Sequence, residues 1–313
     1  MLAFLLKRLG SSVLLLFVVT AFTFAMVFSA GRNVARVILG DYATEEQVAL
    51  KAEELGIDQP LPVQFAAWLG RALTGDLGRS WFTSEPVVQA LSTRLTVTFS
   101  IVLIVIVISA VLSVALGLAA AVRRGWVDRL VQVLAVLGYA IPGFILAIIL
   151  VTVFAVQLGW FPATGFTPFA ENPQAWLLSI TLPVMALVLS TVASTAQQIR
   201  SSLIDVLRRD YVRTLRSRGL GRREILLRHV LRSASPPGLT VLALQFVGLL
   251  GGAVIVEQVF ALPGLGYLAV QSTTRGDLPI VMGVVLATVV LVVVVNLAID
   301  LLVGWLNPKA RVS

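Results

Sequence analysis

Long uninterrupted apolar runs alternate with short charged stretches along this chain. Uncharged windows occupy residues 9 to 31, 95 to 122, 130 to 170, 172 to 199, 233 to 256 and 278 to 299. A helix rises about 1.5 Å per residue, so about 20 apolar residues cross the hydrocarbon of a bilayer. None of the runs alternates as a strand would, and lipid leaves no partner for unpaired backbone groups, so six membrane-spanning helices are predicted. The window from 130 to 170 exceeds one span. Gly159, Pro162 and Gly165 should end its helix near residue 157. The first window could instead be a cleaved signal peptide headed by Lys7 and Arg8. Its apolar run is longer than a usual signal core, and Phe28 fits a cut after Ala30 poorly, so it is read as a retained span.

Composition agrees with the pattern. Of 313 residues 58% are hydrophobic and 13% charged, and the mean hydropathy is +0.95, which places the chain outside soluble domains. The net charge of +8 acquires meaning only through its position. Lys7 and Arg8 precede the first span, Arg123, Arg124 and Arg129 fill the second loop, and Lys309 and Arg311 follow the last span. The fourth loop, residues 200 to 232, holds ten arginines against Asp205, Asp210 and Glu224. The third and fifth loops are poor in Lys and Arg, and the first holds six basic and eight acidic residues. The excess of basic residues therefore puts both termini and the second and fourth loops in the cytoplasm. The fold expected is an all-α polytopic membrane protein. Residues 1–31 form the N-terminus and first span, 32–94 an extracytoplasmic loop, 95–306 the remaining five spans and 307–313 a cytoplasmic tail.

The first loop is long enough for structure of its own. Thr44 followed by Gln47 matches a capping box, TEEQVALKAEEL should end at Gly56, and PVQFAAWLGRAL is a second amphipathic segment. Both helices are expected outside the membrane, as a docking surface or as a cap over the spans. In the fourth loop, Leu207, Tyr211, Leu215 and Gly219 recur every four residues among arginines. Gly219 and Gly221 then interrupt the helix, and REILLRHVLR resumes it against the inner face of the membrane. Nucleic acid, anionic lipid and a protein partner all suit arginines. No aromatic residue interleaves between 213 and 232, which disfavours nucleic acid. A helix, turn, helix element is stiffer than lipid contact requires.

Catalytic chemistry is sparse. Cysteine is absent, and the three lysines, Lys7, Lys51 and Lys309, follow Leu6, Leu50 and Pro308, so the chain carries no phosphate-binding Gly-Lys loop. His229 is the single histidine and has the marks of a structural or interfacial residue; no metal site is expected. Glu257 and Asp300 fall at the ends of spans, where acids can mark a pathway or simply sit at the interface. Gly248 and Gly252 form a GxxxG with Gly251 beside them, which permits close helix approach. Gln197, Gln198 and Gln245 could line a pathway or bond neighbouring helices.

DYVRTLRSRGLGRREILLRHVLRSASPP resembles the cytoplasmic EAA loop of binding-protein-dependent ABC importer permeases, in the dipeptide, oligopeptide and nickel branch. GGAVIVEQVFALPGLG, the acid at Asp277, NLAIDLLVGWLNPKAR and LGIDQPLPVQFAAWLGRALTGDLGRSW extend the resemblance over nearly the whole chain. The EAA triplet corresponds to Arg213, Thr214 and Leu215, an extra Pro236 precedes Pro237, and GRNVA stands where the branch has Pro-Gly-Asp-Pro.

The resemblance implies a type I importer permease in the bacterial inner membrane. It would pair with a homologous permease as a heterodimer, two ABC ATPase subunits, and an extracytoplasmic binding protein or lipoprotein, in contact with membrane lipid and without nucleic acid. ATP and Mg would be bound by the ATPases, with no cofactor and no catalytic residue on this chain. The loop 200–235 would carry the coupling residues Asp210, Tyr211, Arg213, Thr214, Arg216, Arg218, Gly219, Gly221, Glu224 and His229. Gln245, Glu257 and Gln258 would face the pathway. Pro263, Gly264, Gly266 and Asp277, in the external loop 257–277, would be open to the binding protein. The cargo would be dipeptides or longer peptides, with glutathione-like peptides and nickel chelates as alternatives. An ion-coupled secondary transporter using Glu257 and Asp300 is the rival, though no inverted repeat is visible.

Overall fold

The structure, a computed structural model, describes residues 2–30, 34–123 and 125–306. Arg124, the first part of GRNVA at 31–33, and the tail with Lys309 and Arg311 lie outside the described residues. In chain order the helices are α1 (Leu2–Ala30), α2 (Val34–Leu39), α3 (Glu45–Leu55), α4 (Leu61–Leu73), α5 (Val87–Val122), α6 (Trp126–Ala140) and α7 (Gly143–Leu150). A π-helical turn, Val151–Gln157, continues α7. Then come α8 (Pro173–Leu207), α9 (Asp210–Ser217), α10 (Arg222–Glu224) and a second π-helical segment, Ile225–Val230, which leads into α11 (Leu231–Val259). The chain ends with α12 (Leu265–Arg275) and α13 (Leu278–Leu306).

Among the described residues five helices are long and apolar enough to cross a membrane, and a bent helix pair brings the count to six when it is taken as one span. The predicted third span is the pair α6 and α7, bent by 89°. Pro142 explains the break, because it offers no N–H to the helix and holds Ile141 extended at φ −98° and ψ 112°. Two predicted ends also move. The helix of the fourth span runs on through Arg200 to Leu207, and the helix of the fifth begins at Arg222, so REILLRHVLR continues into the fifth span's helix and is not a separate one. Pro236 and Pro237 are accommodated inside α11. Ser235 Oγ donates to the Arg232 carbonyl at 3.0 Å, the oxygen that Pro236 has no N–H to reach.

The chain divides into two compact units. Among the described residues the first comprises 99–262 and 294–306. Its centre is α8, the most buried of the spans, which packs against α6, α7 and α11. Asn172 starts α8 by accepting from the Gln174 and Ala175 N–H groups at 3.0 and 3.1 Å, with Pro173 at its first position. At its inner end Ile199, Leu203 and Val206 form a core with Ala121, Val212, Ile225, Val230 and Ala234. Close approach there requires small residues: a Cβ on Gly117 or Gly238 would lie 2.9 or 2.8 Å from Ile199 side-chain carbons. Across the same inner region Arg200 makes a bidentate ion pair with Asp128 at the start of α6, its Nη2 donating at 2.7 Å.

The second unit comprises residues 2–98 and 263–293. The predicted α3 is present with its full capping box between Thr44 and Gln47, and Gly56 closes it at φ +68°. α4 lies along α1, with Phe65 5.4 Å from Phe24 and 5.9 Å from Trp68, ring to ring, and Trp68 buried. The second amphipathic segment is thus seated on a span. Val87, Ala90 and Leu91 of α5 pack with Leu265, Ile280 and Val284. A Cβ on Gly283 would stand 2.3 Å from Val87 Cγ1 and 3.2 Å from Leu91 Cδ1, and a buried valine has little freedom to turn away. Gly283→Ala should therefore cost about 1–3 kcal/mol, read as a lowered melting temperature of the detergent-purified protein. An unchanged melting temperature would show that this helix contact yields.

Candidate functional site

The fourth loop is built on one buried anchor. Val212 of α9 is fully buried in the core beneath Ile225 and Val230, and Leu215 and Leu220 pack beside it. Tyr211, the residue that four-residue spacing favours, is 37% exposed. Thr214 Oγ1 donates to the Asp210 carbonyl at 3.2 Å, within the helix.

α9 ends in a Schellman turn. Gly219 stands at φ +83°, its N–H donates to the Arg216 carbonyl at 3.0 Å, and the Leu220 N–H donates to the Leu215 carbonyl at 3.3 Å. Leu220 and Leu215 supply the apolar contact that accompanies this motif. Gly221 differs: at φ −63° it is in ordinary backbone, and its carbonyl accepts from the Ile225 N–H at 3.0 Å.

With one side of α9 anchored, the charges face outward. Arg213 reaches Asp210 at only 3.7 Å, and Arg228 reaches Glu224 at 3.8 Å, both largely in solvent. Such pairs contribute little. Arg216 and Arg218 are exposed and meet no carboxylate among the described residues. His229, half-buried, sits in the π-helical segment. The loop thus offers an acidic partner a basic surface on a fixed turn.

The remaining candidates separate. Gln245 is half-buried, donates Nε2 to Ser194 Oγ, and lines a cleft of about 230 Å³ with Ser190, Thr191, Gly248 and Gly252. Glu257 is fully buried, and Gln258 beside it is exposed. In the second unit Pro263 is half-buried, while Gly264 and Gly266 are buried at the start of α12, a helix within the stretch 257–277 that the sequence pattern predicts as loop. Thr98 Oγ1 accepts from the Leu265 N–H at 2.8 Å.

Asp277 is 4% exposed. It accepts from Ser80 Oγ at 2.5 Å and from the Trp81 N–H at 3.2 Å, and so ties residues 80–81 to the start of α13. Its side chain faces inward and offers no surface to a docking partner. Burial pushes its carboxyl above the ordinary value, opposed by the bonds from Ser80, Trp81 and Ile280 and by the Arg275 charge. Ser80, Ser194 and Val212 were not singled out from sequence. Ser80 meets Asp277 across 197 positions, which no local pattern can indicate.

Residues 113–312 match the family described as binding-protein-dependent transport system inner membrane component, and residues 1–102 match the N-terminal region of such components. The chain is 40% identical over 312 residues to a protein of Brucella abortus (strain 2308) named as a peptide transport system permease, covering 99% of each. It is 37% identical over 312 residues to the glutathione transport system permease protein GsiC of Salmonella typhimurium, again covering 99% of each. Among solved structures, a chain of the inward-facing MetNI methionine ABC transporter shares the fold. Its TM-score is 0.57 at 18% identity, over 72% of this chain and 100% of that one.

Proposed function

Because the chain belongs to the binding-protein-dependent inner membrane components, in the peptide, oligopeptide and nickel-type ABC importer branch, we propose that it imports peptides delivered by an extracytoplasmic binding protein. It is a permease subunit of the bacterial inner membrane. In the reading proposed here, it pairs with a second permease and is driven by two separate ATPase subunits. Peptide cargo is favoured over nickel chelates by the names of the relatives, peptide and glutathione permeases.

The observation that carries the coupling role is the Gly219 turn, which holds Arg213 and Arg218 outward from an anchored α9. Arginine suits this contact, since its fork bonds carboxylates in a fixed geometry. ATP binding would draw two such elements together, and the buried core under Val212 would pass the movement to α8 and α11, a nucleotide-biased two-state change.

The test is coexpression with the neighbouring ATPase and binding-protein genes, followed by reconstitution into vesicles. A copurifying complex whose ATP hydrolysis and dipeptide uptake both rise with binding protein is the expected result. Uptake that persists without ATPase and follows a proton gradient would overturn it. Uptake of a nickel chelate in place of peptide would overturn the cargo alone.

A further inference from the structure

We propose that a cleft at the inner end of the first unit binds the phosphate of an anionic glycerophospholipid. The cleft has a volume of about 610 Å³. Its floor is apolar, formed by Ala121 and Val122 at the end of α5, Leu207 at the end of α8, and Leu220, Ile225 and Leu226. Its rim carries three arginines from three elements: Arg208 caps α8, Arg216 lies in the last turn of α9, and Arg222 opens α10.

Neither Arg208 nor Arg216 meets a carboxylate among the described residues. Arg222 is held at the rim by donating Nη2 to the Val122 carbonyl at 3.2 Å, which leaves its other N–H groups available. Three positive charges therefore line one cleft, with no ion pair to a carboxylate among the described residues, over apolar side chains at the ends of two long apolar helices. A free anion would gain nothing from that floor, and a protein carboxylate would compete with solvent for it. A phospholipid matches both parts, because arginine forks bind phosphate oxygens in pairs and the glycerol and first acyl carbons suit the floor. Basic pockets at the cytoplasmic ends of spans take lipid headgroups for this reason. Arg213 and Arg218, the other arginines of the turn, do not line the cleft. Lipid would tie the ends of α5 and α8 to the α9–α10 turn and stiffen it.

The test uses the full chain purified in detergent, delipidated and titrated with phosphatidylglycerol, with bound lipid read by native mass spectrometry. Arg208→Gln with Arg222→Gln should lower retained phosphatidylglycerol by about tenfold or more, whereas Arg213→Gln should leave it unchanged. Phosphatidylcholine of the same chain length should bind much more weakly, and millimolar inorganic phosphate should not displace the lipid. Equal retention in the double variant, or an equal loss with Arg213→Gln, would overturn the site. Displacement by inorganic phosphate would make the ligand a free anion and overturn the lipid assignment. None of these readouts requires ATP, so failure of the importer reading would leave the result intact.

Discussion

Gly219→Pro is expected to abolish ATP-driven uptake while the protein still reaches the membrane. Proline holds φ near −65° and carries no N–H, whereas the turn needs φ +83° and a bond from residue 219 to the Arg216 carbonyl. Both requirements fail together, and Leu220 can no longer close onto Leu215. Only eight residues long, α9 has little helical stability of its own. Its placement rests on this turn and on Val212. Without the turn, Arg213 and Arg218 would no longer be held in place beside the anchored helix. Gly219→Ala is the graded control. A side chain in left-handed backbone costs about 1–2 kcal/mol, which lowers the ratio of correct to incorrect turn roughly five- to thirtyfold, so uptake should fall without vanishing. Gly221→Ala should be silent, since its φ is −63° and a Cβ there meets nothing within 4 Å. Vesicle uptake and ATP hydrolysis measured on the three complexes, at matched membrane levels, decide the matter. Full uptake by the proline variant would remove the turn from the coupling role.

The contrast between these two glycines marks how far sequence reading reaches. Both were read as one interruption, because composition shows where a helix stops but not the φ of each residue. The spans were legible, since a bilayer demands about 20 apolar residues wherever it is crossed. The capping box at Thr44 and Gln47 was legible because all its parts lie within one turn. The buried face of α9 was misplaced by one residue. Steps of four advance 40° past a full turn each time, so Leu207, Tyr211, Leu215 and Gly219 drift around the helix, and the inward position falls at Val212. The break at Ile141 was missed because Pro142 sits amid apolar residues, where hydropathy sees no interruption. The inner end of the fifth span was missed for the opposite reason. Arginines hide a helix that continues unbroken from Arg222 to Val259.

The external acid poses a second problem of this kind, and Asp277→Ala is expected to loosen the second unit more than any surface change in the loop. In the sequence Asp277 looks open to a partner; in the fold it is the acceptor on which residues 80–83 are organised. Ser80 Oγ donates to it and accepts from the Phe82 and Thr83 N–H groups at 3.2 and 3.0 Å, while the Trp81 N–H donates to the same carboxylate. Truncation leaves two buried donors without an acceptor, at about 1–3 kcal/mol each. The expected readout is a lower melting temperature in detergent and faster proteolysis of the external loop. Asp277→Asn keeps one acceptor and should fall between wild type and alanine. It also removes the titration. Burial raises the folded carboxyl's pKa above that of the unfolded chain, so between the two values the folded state holds the extra proton. Stability from this group is then full below the unfolded pKa, near 3.9, and declines as pH rises towards the folded pKa. The melting-temperature advantage of wild type over Asp277→Asn should accordingly narrow as pH rises through that window. A gap that widens with pH would show instead that Ser80, Trp81 and Arg275 hold the carboxylate ionised, with hydrogen bonding prevailing over burial.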